Sequence, residues 1–300
     1  MSVLTGAWVE GRDLLSLRYR RFEAPDQAAR QLGRQAGLKL SRQKGRGVDF
    51  AEVRLYEPGD DVRTIDWRVT ARKQNVHTKV FREERERPVL FLVDQSQSLF
   101  FGSRVRLKSV AAAEAAGLLA WQTLSDHDRV GGLVLGNQRY AVHRPYRSLR
   151  PVARFLYDVA GFNRELSRQG IIDRAVRSEA MLALRRLVHT GFRIILISDF
   201  ATHFDLWQDL VYALARHNRV ALVHIVDPLE ADLPPADLYA VTDGHTRLQF
   251  DSSDTRLRDR YRSRYAERLA AIEALSRHEY VSCRRIGTDA PDLLPLLSGL

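Results

Sequence analysis

From Pro88 onward, short apolar runs alternate with amphipathic stretches. Residues 89–93 (Val-Leu-Phe-Leu-Val) and 194–197 (Ile-Ile-Leu-Ile) are apolar at every position. Unbroken runs of that length suit strands buried on both faces, as in a parallel sheet, rather than the in–out alternation of a half-solvated one. Further strands are predicted over 129–135, with a hairpin partner at 140–142, and over 192–198, 219–226, 240–242, 247–250 and 279–285. Helices are predicted between them. Residues 104–124 are alanine-rich, which lets a helix lie close to a sheet, and 149–160, 172–188 and 206–216 follow. Over 254–277, Leu257, Tyr261, Tyr265, Leu269, Ile272 and Leu275 recur at helical spacing. Residues 227–235 begin with Asp-Pro, end with Pro-Pro and read as a loop. Alternation of strand and helix predicts an α/β fold: a doubly wound, mainly parallel sheet with helices on both faces.

The first 87 residues are patterned differently. Asp13 is placed to start one short helix, and Asp26, after Pro25, a second. Residues 39–47 are basic and contain glycine, as an exposed loop would, and 49–56 and 76–81 read as strands. The chain is thus expected to divide into a smaller N-terminal α+β region, 1–87, and a main domain, 88–300.

Composition narrows the classes. With 300 residues, 45% of them apolar, a packed core is accessible and global disorder is not expected. The single cysteine, Cys283, excludes a disulfide framework and a thiolate metal site and fits a reducing compartment. No apolar run is long enough to span a bilayer, and Asp13, Arg18, Arg20 and Arg21 interrupt any leader pattern. The expected location is the cytoplasm. A net charge of +10 favours acidic partners of any kind, whether protein, nucleic acid or membrane.

Candidate chemistry lies where the buried runs end. In open α/β sheets, ligands bind beyond the carboxyl ends of the strands. The first run leads into Asp94-Gln95-Ser96-Gln97-Ser98, and the run at 194–197 leads into Ser198-Asp199. One loop thereby carries a carboxylate and two hydroxyls, and a second strand end adds another carboxylate. These are hard oxygen donors of the kind that hold Mg²⁺ or Mn²⁺. The same residues can instead cap a following helix and satisfy strand-end amides. The pattern resembles the metal-ion-dependent adhesion site of von Willebrand factor A and integrin I domains. That resemblance implies Ser96 and Ser98 as direct ligands, Asp94 and Asp199 in support, a threonine from an intervening loop, and a partner's acidic side chain closing the shell. The sequence departs from the pattern at the threonine: residues 162–181 contain none, and offer only Ser167 and Ser178.

A second motif lies earlier: Arg54-Leu-Tyr56-Glu-Pro58-Gly59-Asp60-Asp61-Val-Arg63-Thr-Ile65-Asp66-Trp67, followed by Arg72. Pro58-Gly59 suits the centre of a type II turn. Asp60 or Asp61 can then cap a short helix that buries Ile65 and Trp67, while Arg63, Arg68 and Arg72 neutralise the aspartates. The string resembles the signature of the bacterial domain-of-unknown-function family fifty-eight, where it precedes a von Willebrand A-like domain. The resemblance covers about residues 40–230. It implies a role beside a MoxR-type AAA+ ATPase, with that ATPase or its client as partner, in maturing or remodelling protein complexes.

The chain has no phosphate-binding G-x-x-x-x-G-K-[ST] loop, no G-x-S-x-G elbow and no H-E-x-x-H pair; of its histidines, only His203 lies near Asp199 in sequence. The expectation is a non-enzymatic adaptor or protein-interaction module, Mg²⁺-dependent if the strand-end site holds an ion. Two alternatives stay open: a nucleic-acid-binding protein using the basic N-terminal region, and a metal-dependent hydrolase.

Overall fold

In a computed structural model, the structure describes residues 4–20, 48–73, 75–83, 87–166, 170–242 and 246–300. The helix expected at Asp26, the loop at 39–47 and Ser167 lie outside them. The chain forms two compact units, one made of Met1–Glu23 with Arg87–Leu300, the other of Ala24–Glu86.

In the smaller unit, β1 (Val48–Leu55) pairs antiparallel with β2 (His77–Glu83). In the larger unit, six strands form one sheet: β3 (Pro88–Asp94), β4 (Arg129–Leu135), β5 (Tyr140–Tyr146), β6 (Arg193–Ser198), β7 (Arg219–Val226) and, last in the chain, a strand over Val281–Gly287. Between the last two, β8 (Leu238–Thr242) and β9 (Arg247–Asp251) make a separate antiparallel hairpin, so the last strand is β10. The sheet order is β10-β7-β6-β3-β4-β5, and only β5 runs antiparallel, as the hairpin partner of β4. The expected α/β class and mainly parallel sheet are therefore present. The chain winds outward from β3 in one direction, then restarts at β6 and winds in the other. The crevice at such a switch point, outside the strands' carboxyl ends, is where open α/β sheets bind ligands.

Among the described residues the helices are α1 (Gly11–Ser16), α2 (Trp67–Lys73) in the smaller unit, α3 (Lys108–Ser125), α4 (Leu149–Glu165), α5 (Arg174–Leu187), α6 (Phe204–Ala215), α7 (Pro228–Ala231), α8 (Thr255–Leu275) and α9 (Leu294–Leu297). Successive residues of β3 feed opposite cores, as strand geometry requires. Val89, Phe91 and Val93 pack with buried residues of α1, α3 and α4, while Leu90 and Leu92 pack with those of α5 and α6. All of β3 is buried, which explains its unbroken apolar run. Gly132 of β4 has a packing reason: a Cβ there would stand 2.2 Å from the Phe91 carbonyl oxygen.

Two expectations need correction. Residues 4–20 belong to the main unit. Leu14 and Leu17 belong to its core, and the Leu14 carbonyl accepts a hydrogen bond from Trp121 Nε1 at 2.9 Å. Arg20 continues this attachment through Glu114 (3.2 Å) and Asp292 (2.6 Å). The loop at 227–235 contains α7. The expected stripe along α8 is covered: Ile272 and Leu275 are fully buried. The other four are half-buried, and Tyr261 turns its hydroxyl to the Leu229 carbonyl at 2.9 Å.

Candidate functional site

The carboxyl ends of β3 and β6 bring Asp94, Ser96, Ser98 and Asp199 together. Parallel pairing places Val93 beside Ile197, so the residues that follow each strand share one end of the sheet. Asp94 folds back on its own loop: Oδ1 accepts the Ser96 N–H at 3.0 Å, and Oδ2 accepts the Ser198 hydroxyl at 2.7 Å. Asp199 Oδ1 accepts the Ser98 hydroxyl at 3.1 Å and the Ala201 N–H at 3.0 Å. The two serine Oγ atoms lie 3.5 Å apart. Asn137, after β4, steadies the loop by accepting the Gln97 N–H at 2.7 Å.

Two cations that sequence reasoning missed enter this cluster. Arg177, on α5, donates from Nη2 to Ser96 Oγ at 2.9 Å and from Nη1 to the Thr202 carbonyl at 3.3 Å, with Nη1 also 3.5 Å from Asp94 Oδ2. Lys108, the first residue of α3, donates to Asp199 Oδ2 at 2.7 Å and to Glu230 Oε1 at 2.9 Å. Glu230 is presented by a capping box on α7, in which the Asp227 carboxylate accepts the Leu229 N–H at 3.0 Å and Glu230 Oε2 accepts the Asp227 N–H at 3.0 Å. Arg268 approaches the same Glu230 oxygen at 3.4 Å.

Arg177 left a signal in the sequence. Arg177 heads the stripe Arg177, Ala180, Met181, Leu184, the buried face of α5, where a charge needs a buried partner. Lys108 left none, because the predicted helix begins at 104; the structure starts it at Lys108, at the positive end where lysine is disfavoured unless carboxylates face it. The segment 162–181, which has no threonine to offer the site, contributes a guanidinium instead.

The electrostatics follow from burial and pairing. Burial opposes the charge on Lys108, but Asp199 and Glu230 outweigh it and hold its pKa above the ordinary lysine value. Burial likewise opposes ionisation of Asp199, yet the Lys108 ammonium and the Ser98 and Ala201 hydrogen bonds hold its carboxyl below the usual range. Beneath them, His224 of β7 stacks edge-on against Phe200, and burial lowers its pKa to about 4.

Set against a divalent ion, this donor set does not fit. Asp199 Oδ2 and Ser96 Oγ, both in the ligand set that the resemblance implies, already accept hydrogen bonds from fixed cations. Asp94, Asp199 and Glu230 are balanced by Arg177, Lys108 and Arg268. A dication would add two uncompensated charges in a buried place, which is costly. The buried polar atoms without a hydrogen-bond partner among the described residues include the donors Arg177 Nε and Trp207 Nε1, which cannot ligate a cation, and one oxygen of the serine loop, Gln97 Oε1. Arg177 lies over the Trp207 ring, its Cζ 5.5 Å from the centroid. Among the described residues no three His, Cys, Asp or Glu side chains converge as a metal-holding group.

Beside the buried cluster, aromatic side chains reach solvent. Phe101 is 41% exposed, with Lys108 Nζ 5.9 Å from its ring centroid; Trp8 is 54% exposed and lies 6.0 Å from Phe100.

In the smaller unit the Pro-Gly-Asp-Asp motif is a folding device. The Asp60 N–H donates to the Glu57 carbonyl at 3.0 Å across Pro58-Gly59, and Gly59 has φ +110°, in the positive range that a type II turn demands at that position. Asp60 accepts the Glu57 N–H at 3.0 Å and Arg54 Nη2 at 2.7 Å, and these hold its carboxyl below the usual range. The Tyr56 hydroxyl donates to the Asp60 carbonyl at 3.4 Å. Asp61 caps the turn Val62–Thr64 through the Arg63 N–H. Asp66 caps α2 through the N–H groups of Arg68 (3.0 Å) and Val69 (3.1 Å). Two details differ from expectation. Trp67 is 69% exposed rather than buried, because it opens α2 facing solvent. Among the described residues, these aspartates pair with Arg54 and Lys79, not with Arg63, Arg68 or Arg72.

Among solved structures, the chain is similar to the conserved hypothetical protein BatB from Bacteroides thetaiotaomicron, at 16% identity and TM-score 0.40, over 69% of this chain and 92% of that one. It is also similar to the VWA domain of SpRpn10, at 15% identity and TM-score 0.39, over 71% of this chain and 94% of that one. Likenesses this distant carry no argument about the site. By sequence, it is 29% identical over 223 residues to the uncharacterized proteins Rv1480 of Mycobacterium tuberculosis and Mb1516 of Mycobacterium bovis, covering 72% of this chain and 67% of each relative. Residues 52–271, which include both the turn motif and the strand-end cluster, match the family described as "Protein of unknown function DUF58", and the chain belongs to that family.

Proposed function

We propose that this chain is a non-enzymatic protein-interaction module that docks a partner on the face around the carboxyl ends of β3 and β6. One observation carries this reading: solvent-exposed Trp8 and Phe101 stand beside a buried, charge-balanced cluster. Aromatic anchors on a rigid base are what protein interfaces use as hot spots. The cluster has little to offer a hydrolase, since Asp94 and Asp199 are buried and committed to hydrogen bonds and ion pairs.

The family resemblance adds a finer proposal, that the partner is a MoxR-type AAA+ ATPase or its client and that the module works in complex maturation or remodelling. The charge of +10 favours a partner with an acidic face. A nucleic-acid role would rest on the basic loop at 39–47, which lies outside the described residues. The test is calorimetric titration of the chain with a purified MoxR-type ATPase, repeated with Trp8→Ala and Phe101→Ala. Binding that both variants weaken supports the reading. Steeply salt-dependent binding to DNA or RNA, with no ATPase binding, would replace it. Divalent-dependent phosphoester turnover lost in Asp94→Ala would favour the hydrolase.

A further inference from the structure

We propose that Lys108 and Arg177 are tethered replacements for a divalent ion, so that the strand-end loops are held in one arrangement without metal. This does not depend on the face binding any partner.

The resemblance gives an ion the task of joining the serine loop after β3 to the aspartate after β6. Here that task is performed by side chains. Arg177 holds the serine loop through Ser96 Oγ and ties it to the start of α6 through the Thr202 carbonyl, two residues before Phe204. Lys108 holds Asp199, whose other oxygen accepts the Ser98 hydroxyl, and links it to Glu230 on α7. Three segments, after β3, β6 and β7, thus converge on two fixed cations carried by α3 and α5. Both cations are buried, at 1–2% exposure, so neither can swing out to admit an ion without opening the core. Each arises from a helix packed on the sheet, so its position is set by folding and not by the concentration of a free ligand.

Ion-holding chemistry is latent in the same oxygens. If the Lys108 charge is removed, Asp199 Oδ2 loses its fixed cation and Glu230 Oε1 keeps only Arg268, at 3.4 Å, which opens both oxygens to a hard cation. The experiment uses the full chain and compares melting in EDTA with melting in Mn²⁺ for the wild type and Lys108→Met, alongside calorimetric titration of the wild type with Mn²⁺. The wild type is expected to melt at the same temperature in both and to show no saturable heat. Lys108→Met is expected to melt lower in EDTA and to regain about 5 °C or more in Mn²⁺ at roughly 100-fold above its Kd. That gain should vanish when Asp199→Asn is added. Saturable Mn²⁺ binding by the wild type, lost in Asp199→Asn, would overturn the proposal. So would a folded Lys108→Met that ignores Mn²⁺. If Lys108→Met does not fold, the wild-type titration decides alone.

Discussion

Lys108 Nζ lies 2.7 Å from Asp199 Oδ2, with both side chains only 2% exposed and a separation of 91 positions along the chain. Removing one member of a buried pair strands the other charge, typically at a cost of about 3–5 kcal/mol. In metal-free buffer, Lys108→Met and Asp199→Asn are each expected to lose stability on that scale in urea unfolding. Their double variant should lose less than the sum, by roughly 0.5–3 kcal/mol. Strict additivity would show that the two groups are not energetically coupled.

A second buried pair ties the N-terminal residues to the main unit. Arg106 and Glu114 are paired with both side chains 0% exposed, and Arg20 and the Ala290 carbonyl complete the network. Burial raises the Glu114 pKa even with Arg106 and Arg20 beside it, so its charge depends on those partners. Arg106→Met should cost about 3–5 kcal/mol, and adding Glu114→Leu should recover part of it. Equal midpoints for the single and double variants would count against this account.

His224 makes stability depend on mild acid. Its pKa is 6.5 in the unfolded reference and about 4 in the fold, where burial disfavours the imidazolium. Between these values the unfolded chain binds more protons, so stability falls as pH drops from about 6.5 toward 4, by on the order of 3 kcal/mol in all. His224→Gln should flatten that part of the profile. A wild-type profile already flat there would exclude the mechanism.

Trp8 and Phe101 should separate binding from folding. Each truncation is a surface change, expected to shift stability by no more than about 0.5 kcal/mol. At a docking face each should weaken partner binding by about 2 kcal/mol, or roughly 30-fold. Unchanged affinity in both would place the docking face elsewhere.

Much of the fold is legible in the residue pattern alone, because burial leaves local marks. The all-apolar run at 89–93 marks a strand covered on both faces, and β3 is that strand. Strand–helix alternation yields the parallel sheet, and Asp94 and Asp199 follow their strands to one end of it. The type II turn at Pro58-Gly59 is equally local, since only glycine takes φ +110° at little cost. Solvent exposure is harder to read locally. Trp67 is apolar and follows a capping aspartate, yet α2 leaves it outside.

By itself, then, the sequence determined the elements, the class of the sheet and the strand ends at which polar residues gather, because these depend on periodicity and short-range caps. Only the tertiary structure decided what those polar residues face. Arg177 reaches Ser96 across 81 residues of chain, and Lys108 reaches Glu230 across 122. Nothing in local spacing distinguishes carboxylates awaiting an ion from carboxylates already neutralised by a lysine and an arginine. That distinction depends on helix packing against the sheet, which delivers the two cations from distant segments into one buried volume.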